Sequence, residues 1–372
     1  MINMKNKKAR VIAFYLPQYH AIPENDNWWG KGFTEWTNVG KAKPLFKGHY
    51  QPRVPADLGY YDLRMPEARE AQAEMADNAG VEGFMYWHYW FGSGRRILER
   101  PFNEVLNSGK PDYPFCLGWA NHSWTNTTWE TSARKNVPSM LMEQLYPGKE
   151  DYINHFYTVL KAFQDPRYLM VNDCPLFYIY DPFAIPDIID FIDLWRNLAA
   201  KEGLKGIHFV CLNNGWDSNI EKLLALGFDA VNTDRRWEAE TKLKGGKLFK
   251  LVDHNLKKIL AIAPLDKYLY RKIIKHLISP HDSQDNIYPT ILPQWDRTAR
   301  AGNKAPIYHG STPELFKINV NEVLNAVKDK PYEHKIIFLK SWNEWGEGNY
   351  VEPDLKFGHG YLDVLKETIL TK

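Results

Sequence analysis

The 372-residue chain has little cysteine, no long apolar run and almost no excess of either charge. Each shortage excludes something. Cys116, Cys174 and Cys211 lack metal-ligand spacing, and neither Cys-x-x-Cys nor His-Glu-x-x-His occurs, so no metal is expected. The three thiols sit in strand-like apolar context and read as core residues of a reducing compartment. No apolar stretch approaches the roughly 20 residues that cross a bilayer. Residues 1–10 are polar and basic, and the apolar run 11–16 behind them is too short for a signal-peptide core. The sequence therefore reads as cytoplasmic and soluble. A formal charge of +2, with no basic aromatic motif, argues against a nucleic-acid partner. Neither an Asp-x-Asp site nor a clear nucleotide-binding loop is present, and no cofactor is expected.

What remains is abundant. Hydrophobic residues make up 44% of the chain, enough for a large core. Aromatics reach 14%, with 14 Trp and 21 Tyr, an enrichment that suits carbohydrate recognition as well as core packing. The stretch Ile336-Ile337-Phe338-Leu339-Lys340-Ser341-Trp342-Asn343-Glu344-Trp345-Gly346-Glu347 opens as a buried strand and then breaks into polar and aromatic residues. Glu344 and Glu347 are three apart, which in a turn sets their Cβ atoms roughly 5–6 Å from one another. Two carboxyls at a strand's end, beside Trp342, Trp345 and Tyr350, match the demands of glycosidic bond cleavage. A surface turn with two solvated glutamates is the bland alternative.

Along the chain, strand patterns at 11–16, 83–86, 115–119, 176–180, 207–212, 230–232, 290–293 and 336–339 alternate with helical ones. Helices are predicted over 66–78, 101–106, 149–163, 188–201, 220–226, 314–328 and 361–370. Eight strands, each followed by helix-forming sequence, predict a (β/α)8 TIM barrel rather than a doubly wound sheet. Polar and aromatic clusters recur after at least six strands, as an active site ringed by loops requires. The chain reads as one domain over 1–372, with insertions near 20–60 and 236–285. Residues 242–275 are basic and apolar by turns and hold one or two helices. They read as a lid-like or membrane-proximal excursion that would meet a lipid-linked or charged glycan, or as a solvated helical face.

Residues just past strand ends are the site candidates. Tyr15, His88, Asn121 and Glu344 are expected in one pocket. His20 and His88 could bind a hydroxyl or exchange a proton, or make structural hydrogen bonds among aromatics. Glu35 and Arg53, in the long first loop, could clamp a sugar or pair for stability. Asn121, Asp181, Asn213 and Asp234 follow strands, although Asp181-Pro182 could simply begin a helix. Trp124 and Trp295 are possible stacking platforms, and Gln18, Trp36, Tyr86, Trp90, Trp342 and Asn343 complete the substrate-binding set. His122 and His208 read as structural.

The segments Tyr15-Leu16-Pro17-Gln18-Tyr19-His20, Gly32-Phe33-Thr34-Glu35-Trp36 and Tyr86-Trp87-His88-Tyr89-Trp90, together with Ser341 to Glu347, resemble the WbsX family. That family is named from polysaccharide-biosynthesis loci and is related to glycoside hydrolase family 99. The resemblance spans nearly the whole chain. Its likeness to family 99 rests chiefly on the first strand and the Trp-Asn-Glu-x-x-Glu segment. It implies a barrel with an endo-acting, retaining, α-mannosidase-like mechanism. Carried over, Glu344 matches the carboxylate that engages the sugar 2-hydroxyl, Glu347 the acid/base, and Tyr15 a tyrosine near the reacting sugar. Such chemistry forms a 1,2-anhydro sugar and suits α-manno- or α-rhamno-configured oligosaccharides and polysaccharides. A glycosyltransferase of surface polysaccharide (O-antigen or capsule) biosynthesis is the alternative, and a non-catalytic sugar-binding barrel is a third.

Overall fold

The chain's eight strand-forming runs pair side by side in chain order and close on themselves. In the computed structural model, which describes residues 7–126, 140–260, 262 and 266–371, they are β1 (Arg10–Tyr15), β2 (Gly83–His88), β3 (Phe115–Trp119), β4 (Cys174–Ile179), β5 (His208–Asn213), β6 (Ala230–Thr233), β7 (Ile287–Ile291) and β8 (Ile336–Leu339). All neighbours are parallel, β1 pairs with β8, and β3 pairs with β4, so the barrel is shut. The (β/α)8 architecture is as the sequence predicts. Parts of the basic N-terminal stretch and of the basic insertion lie outside the described residues.

Both faces of a barrel strand are covered, so its sequence is mostly apolar instead of alternating. β1, Arg-Val-Ile-Ala-Phe-Tyr, is buried at every position. One face points into the barrel, where Phe14, Trp87, Tyr178 and Phe338 pack with ring centroids 5.2–5.9 Å apart. The Tyr178 hydroxyl donates to Asn232 (2.8 Å), whose amide donates to the Tyr288 carbonyl and the Thr290 hydroxyl. The other face meets the helices: Tyr15 donates to Gln72 of Pro66–Asn78 (2.6 Å), and His88 meets His155 of Lys149–Phe163 (2.8 Å).

Further helices are Arg100–Ser108, Ile188–Lys201, Ile220–Ala225, Pro313–Val327 and Gly360–Ile369. Pro at the first turn opens Pro66–Asn78, and Thr312 caps Pro313–Val327 by accepting from the Leu315 amide. Several boundaries differ from expectation: β7 spans Ile287–Ile291, three residues earlier than its predicted start, with Pro289 inside it. The first insertion carries Pro23–Trp29 and Glu35–Lys41. The second carries Arg236–Leu243 and Lys247–Ile259, then a strand, Asp266–Leu269, that pairs in parallel with Pro306–His309 and was not foreseen. All three cysteines are free. No helix among the described residues is long and apolar enough to cross a membrane.

Candidate active site

The conspicuous stretch leaves β8 and turns back at once. Asn343–Glu344 pairs antiparallel with Asn349–Tyr350, joined by one 3-10 turn, Trp345–Glu347. Gly348 closes the turn at φ 58°, where a Cβ would lie 2.9 Å from the Asp296 carbonyl. Two side chains anchor it. Asn343 bonds both backbone groups of Leu16, and Trp345 stacks on Tyr350 with ring centroids 3.7 Å apart. Beneath, the Glu352 carboxylate accepts from Trp345, Tyr61 and Gln72, and burial pushes its pKa up to about 7.

The hairpin sets Glu344 and Glu347 into a cavity of about 330 Å³ at the C-terminal mouth of the barrel. The interior ring of Phe14 and Trp87 forms its floor. Tyr89, Trp124, Tyr180 and Trp295 line its walls, with Gln18, His122 and Ser123 as polar points. Burial lowers the His122 pKa and favours the neutral imidazole, which can give or accept a hydrogen bond.

One guanidinium organises the carboxylates. Arg300 Nη2 lies 2.5 Å from Glu344 Oε1, Nη1 lies 2.9 Å from Glu347 Oε1, and Nε lies 3.1 Å from the fully buried Glu35. Arg297 Nε adds a second contact to Glu347 at 3.0 Å. Opposite, Asp234 holds both Arg236 (2.7 Å) and Lys340 (2.7 Å), and these partners keep its pKa far down despite burial. The Arg236 guanidinium lies 3.5 Å from the centre of the Trp295 ring.

This field separates the two glutamates. Burial pushes Glu344 up to about 8, Glu347 and Glu35 add to the rise, and Arg300 only partly opposes it. Burial would raise Glu347 too, but Arg297, Arg300, Arg236 and Lys340 outweigh it and hold the group at about 2. The two environments pull the pair apart and favour the proton on Glu344, which touches one guanidinium where Glu347 touches two among the described residues. That placement reverses the order implied by the family resemblance.

Of the residues singled out in the sequence, Gln18, Trp124, Trp295, Glu344 and Glu347 face the cavity. Glu35 and Asp234 stand behind it, gripping the arginines and lysine of its wall. The expected pocket of Tyr15, His88, Asn121 and Glu344 is corrected: only Glu344 lies there. Tyr15, Tyr86 and His88 point outward to the helices, and Trp90 donates to Asp151 (2.9 Å). Asn121 bonds Tyr146 and the Asp181 backbone, tying two loops, and Asn213 bonds its own turn through Gly215 and Trp216. Arg53 bonds Gln294, Trp36 donates to the Tyr61 carbonyl (2.8 Å), and Trp342 and His20 are buried outside the cavity wall. His122, read as structural, lines the cavity. The sequence reading missed Arg236, Arg297, Arg300 and Lys340. Of these, Lys340 alone had a signal, standing directly after the β8 run.

The family described as Glycosyltransferase WbsX matches residues 11–365. The uncharacterized protein WxcX of Xanthomonas campestris pv. campestris (strain B100) is 33% identical over 365 residues, covering 97% of this chain and 50% of that protein. The WxcX protein of strain ATCC 33913 matches to the same extent, so the chain spans about half the length of the curated relatives it matches. Among solved structures, a glycoside hydrolase-like protein superposes with a TM-score of 0.63 at 15% identity, covering 100% of this chain and 97% of that one. The GH99 endo-alpha-mannosidase from Bacteroides thetaiotaomicron, with BIS-TRIS-Propane bound, gives 0.57 at 16% identity, covering 96% and 95%. These likenesses show a shared fold. With one family matched from the first barrel strand into the closing helix, and a relative one-third identical across nearly the whole chain, this protein belongs to the WbsX family.

Proposed function

We propose that the protein is a retaining glycoside hydrolase acting on α-manno- or α-rhamno-configured linkages in an oligosaccharide or polysaccharide. The observation that carries the reading is the Glu344–Glu347 pair, held by one guanidinium at the mouth of an aromatic-walled barrel cavity. The fold shared with a GH99 endo-alpha-mannosidase supports it.

The different surroundings of the two carboxyls support one division of roles. Glu344 keeps its proton into the neutral range and gives it to the departing glycosidic oxygen. Glu347, ionised, accepts the proton of the sugar's 2-hydroxyl while the 2-oxygen attacks the anomeric carbon and the bond to the leaving group breaks. Water then opens the 1,2-anhydro sugar, and two inversions give net retention. This attack needs the 2-oxygen trans to the leaving group, which α-mannosides and α-rhamnosides provide and α-glucosides do not. A carboxylate held near 2 is a weak base, so its contact with the more exposed Arg297 must loosen as a sugar enters. If that contact persists, direct attack by Glu347 replaces the 2-hydroxyl route. A matched substrate lacking the 2-hydroxyl tests this: cleavage at an undiminished rate removes the 2-hydroxyl route and its bearing on substrate class.

A second reading has its own support. The family carries a glycosyltransferase description, and Arg236, Arg297, Arg300 and Lys340 all face the cavity, where cations would steady a phosphate-bearing leaving group. Consumption of a sugar nucleotide that depends on an acceptor glycan, without release of reducing ends, would establish transfer in place of hydrolysis.

A further inference from the structure

The helix Lys247–Ile259 sits on the protein the wrong way round. An amphipathic helix normally buries its apolar stripe and shows its polar face to water. Here no residue of the helix is buried. At 3.6 residues per turn, Leu248, Phe249, Leu251, Val252, Leu256 and Ile259 share one half of the helix surface, and all are exposed, Leu248 at 70% and Ile259 at 79%. Leu260 and Ile262 extend the exposed apolar strip. The attachment is made by the polar half. Lys250 bonds Glu240 (2.6 Å), Lys244 grips Asp253, and His254 meets Asp266 (2.8 Å), while Lys257 pairs with Asp253 within the helix. Lys247 rests over the rings of Trp216 and Trp237. The protein holds this helix by its charges and offers its hydrocarbon outward.

Charge selects what the hydrocarbon meets. Residues 242–275 contain ten Lys and Arg against two Asp, while the whole chain carries a net of only +2. A second copy in two-fold arrangement would set this basic segment against itself. An anionic lipid surface takes both features at once, the leucines and Phe249 into the acyl boundary and basic side chains outside the anchoring contacts, such as the exposed Lys258, at headgroup level. The segment leaves the barrel at β6, directly behind Arg236 of the cavity wall, so the apolar face belongs to the same end of the barrel as the mouth. We propose that Lys247–Ile259 docks the protein peripherally on an anionic bilayer, bringing the cavity to glycans displayed there. The docking goes beyond the glycosidase reading and stands or falls separately from it.

Flotation of the full chain with vesicles tests the proposal. Vesicles of phosphatidylglycerol and phosphatidylcholine in equal parts should carry the protein, phosphatidylcholine alone much less, and added salt should weaken the binding. Leu248→Asp, Phe249→Asp and Ile259→Asp combined should weaken it by about tenfold or more, with an unchanged thermal midpoint because the three side chains already face solvent. Absence of wild-type binding, equal binding to the neutral vesicles, or wild-type binding by the triple variant would each overturn the proposal. So would a wild-type dimer in solution that the triple variant breaks, because the face would then belong to a second copy.

Discussion

Which glutamate gives the proton can be read from how activity depends on the leaving group. Glu347 is held by Arg300 at 2.9 Å and Arg297 at 3.0 Å, whereas among the described residues Glu344 has its ion pair with Arg300. Burial raises Glu344 to about 8, while the added cation contacts lower Glu347 to about 2, so the proton of the pair is favoured on Glu344. Glu344→Gln keeps side-chain length, and its amide oxygen can still accept from Arg300, but it has no acidic proton. On a natural glycan, whose departing alcohol needs protonation, kcat/KM should fall by about 10²–10⁴-fold. On an aryl glycoside with an acidic phenol, which leaves without help, the fall should be about tenfold or less. Glu347→Gln should lose about 10²-fold or more on both substrates, because its work is on the anomeric side. Rescue by the phenol in Glu347→Gln and not in Glu344→Gln would refute the assignment and restore the order implied by the family resemblance. Full activity of both variants would remove the pair from the chemistry.

Because the reaction needs one proton on the pair, kcat/KM should be level through neutrality and fall as pH rises through about 8, where Glu344 ionises; a profile still flat well above that value would contradict the shared-proton account. Arg300→Met leaves Glu35, Glu344 and Glu347 facing one another, so denaturant unfolding at pH 7 should show a loss of about 3–5 kcal/mol. The deficit should shrink at pH 5, because carboxyls whose folded pKa values rise are destabilising once pH exceeds their unfolded values; an equal deficit at both pH values would argue against electrostatics as its origin. Gly346→Ala places a Cβ onto the Glu35 carboxylate and against Arg300 Nε (3.1 Å), and should cost about 1–3 kcal/mol along with activity. Wild-type kinetics and stability in that variant would show the contact to be slack.

The barrel was legible because each strand is a short apolar run and each helix carries its own start and stop. The helices over 66–78, 149–163 and 188–201 were placed to the residue. What a single sequence withheld was the direction of side chains beyond the strand ends. Both faces of a barrel strand are apolar, so Phe14 and Tyr15, or Trp87 and His88, are equal choices by composition. Aromatic chemistry favoured Tyr15, Tyr86 and His88, and the pleat turned those to the helices while Phe14, Trp87 and Tyr89 took the mouth. Glu344 and Glu347 escaped this ambiguity because the hairpin, rather than the strand, presents them. Arg300 reaches Glu35 across 265 positions and Glu344 across 44, a meeting that depends on loop geometry and has no local signature. The basic segment showed its charge and apolar content in the sequence, but not that its helix would be held by the charged face.

The most direct test of hydrolysis is release of reducing ends from α-linked manno- and rhamno-oligosaccharides, followed for the wild type and for Glu347→Gln. The account predicts release by the wild type without any nucleotide added, and release slower by about 10²-fold or more in the variant. Equal release by both would detach the activity from the glutamate pair. No release, with glycan elongation once a sugar nucleotide is supplied, would contradict hydrolysis outright.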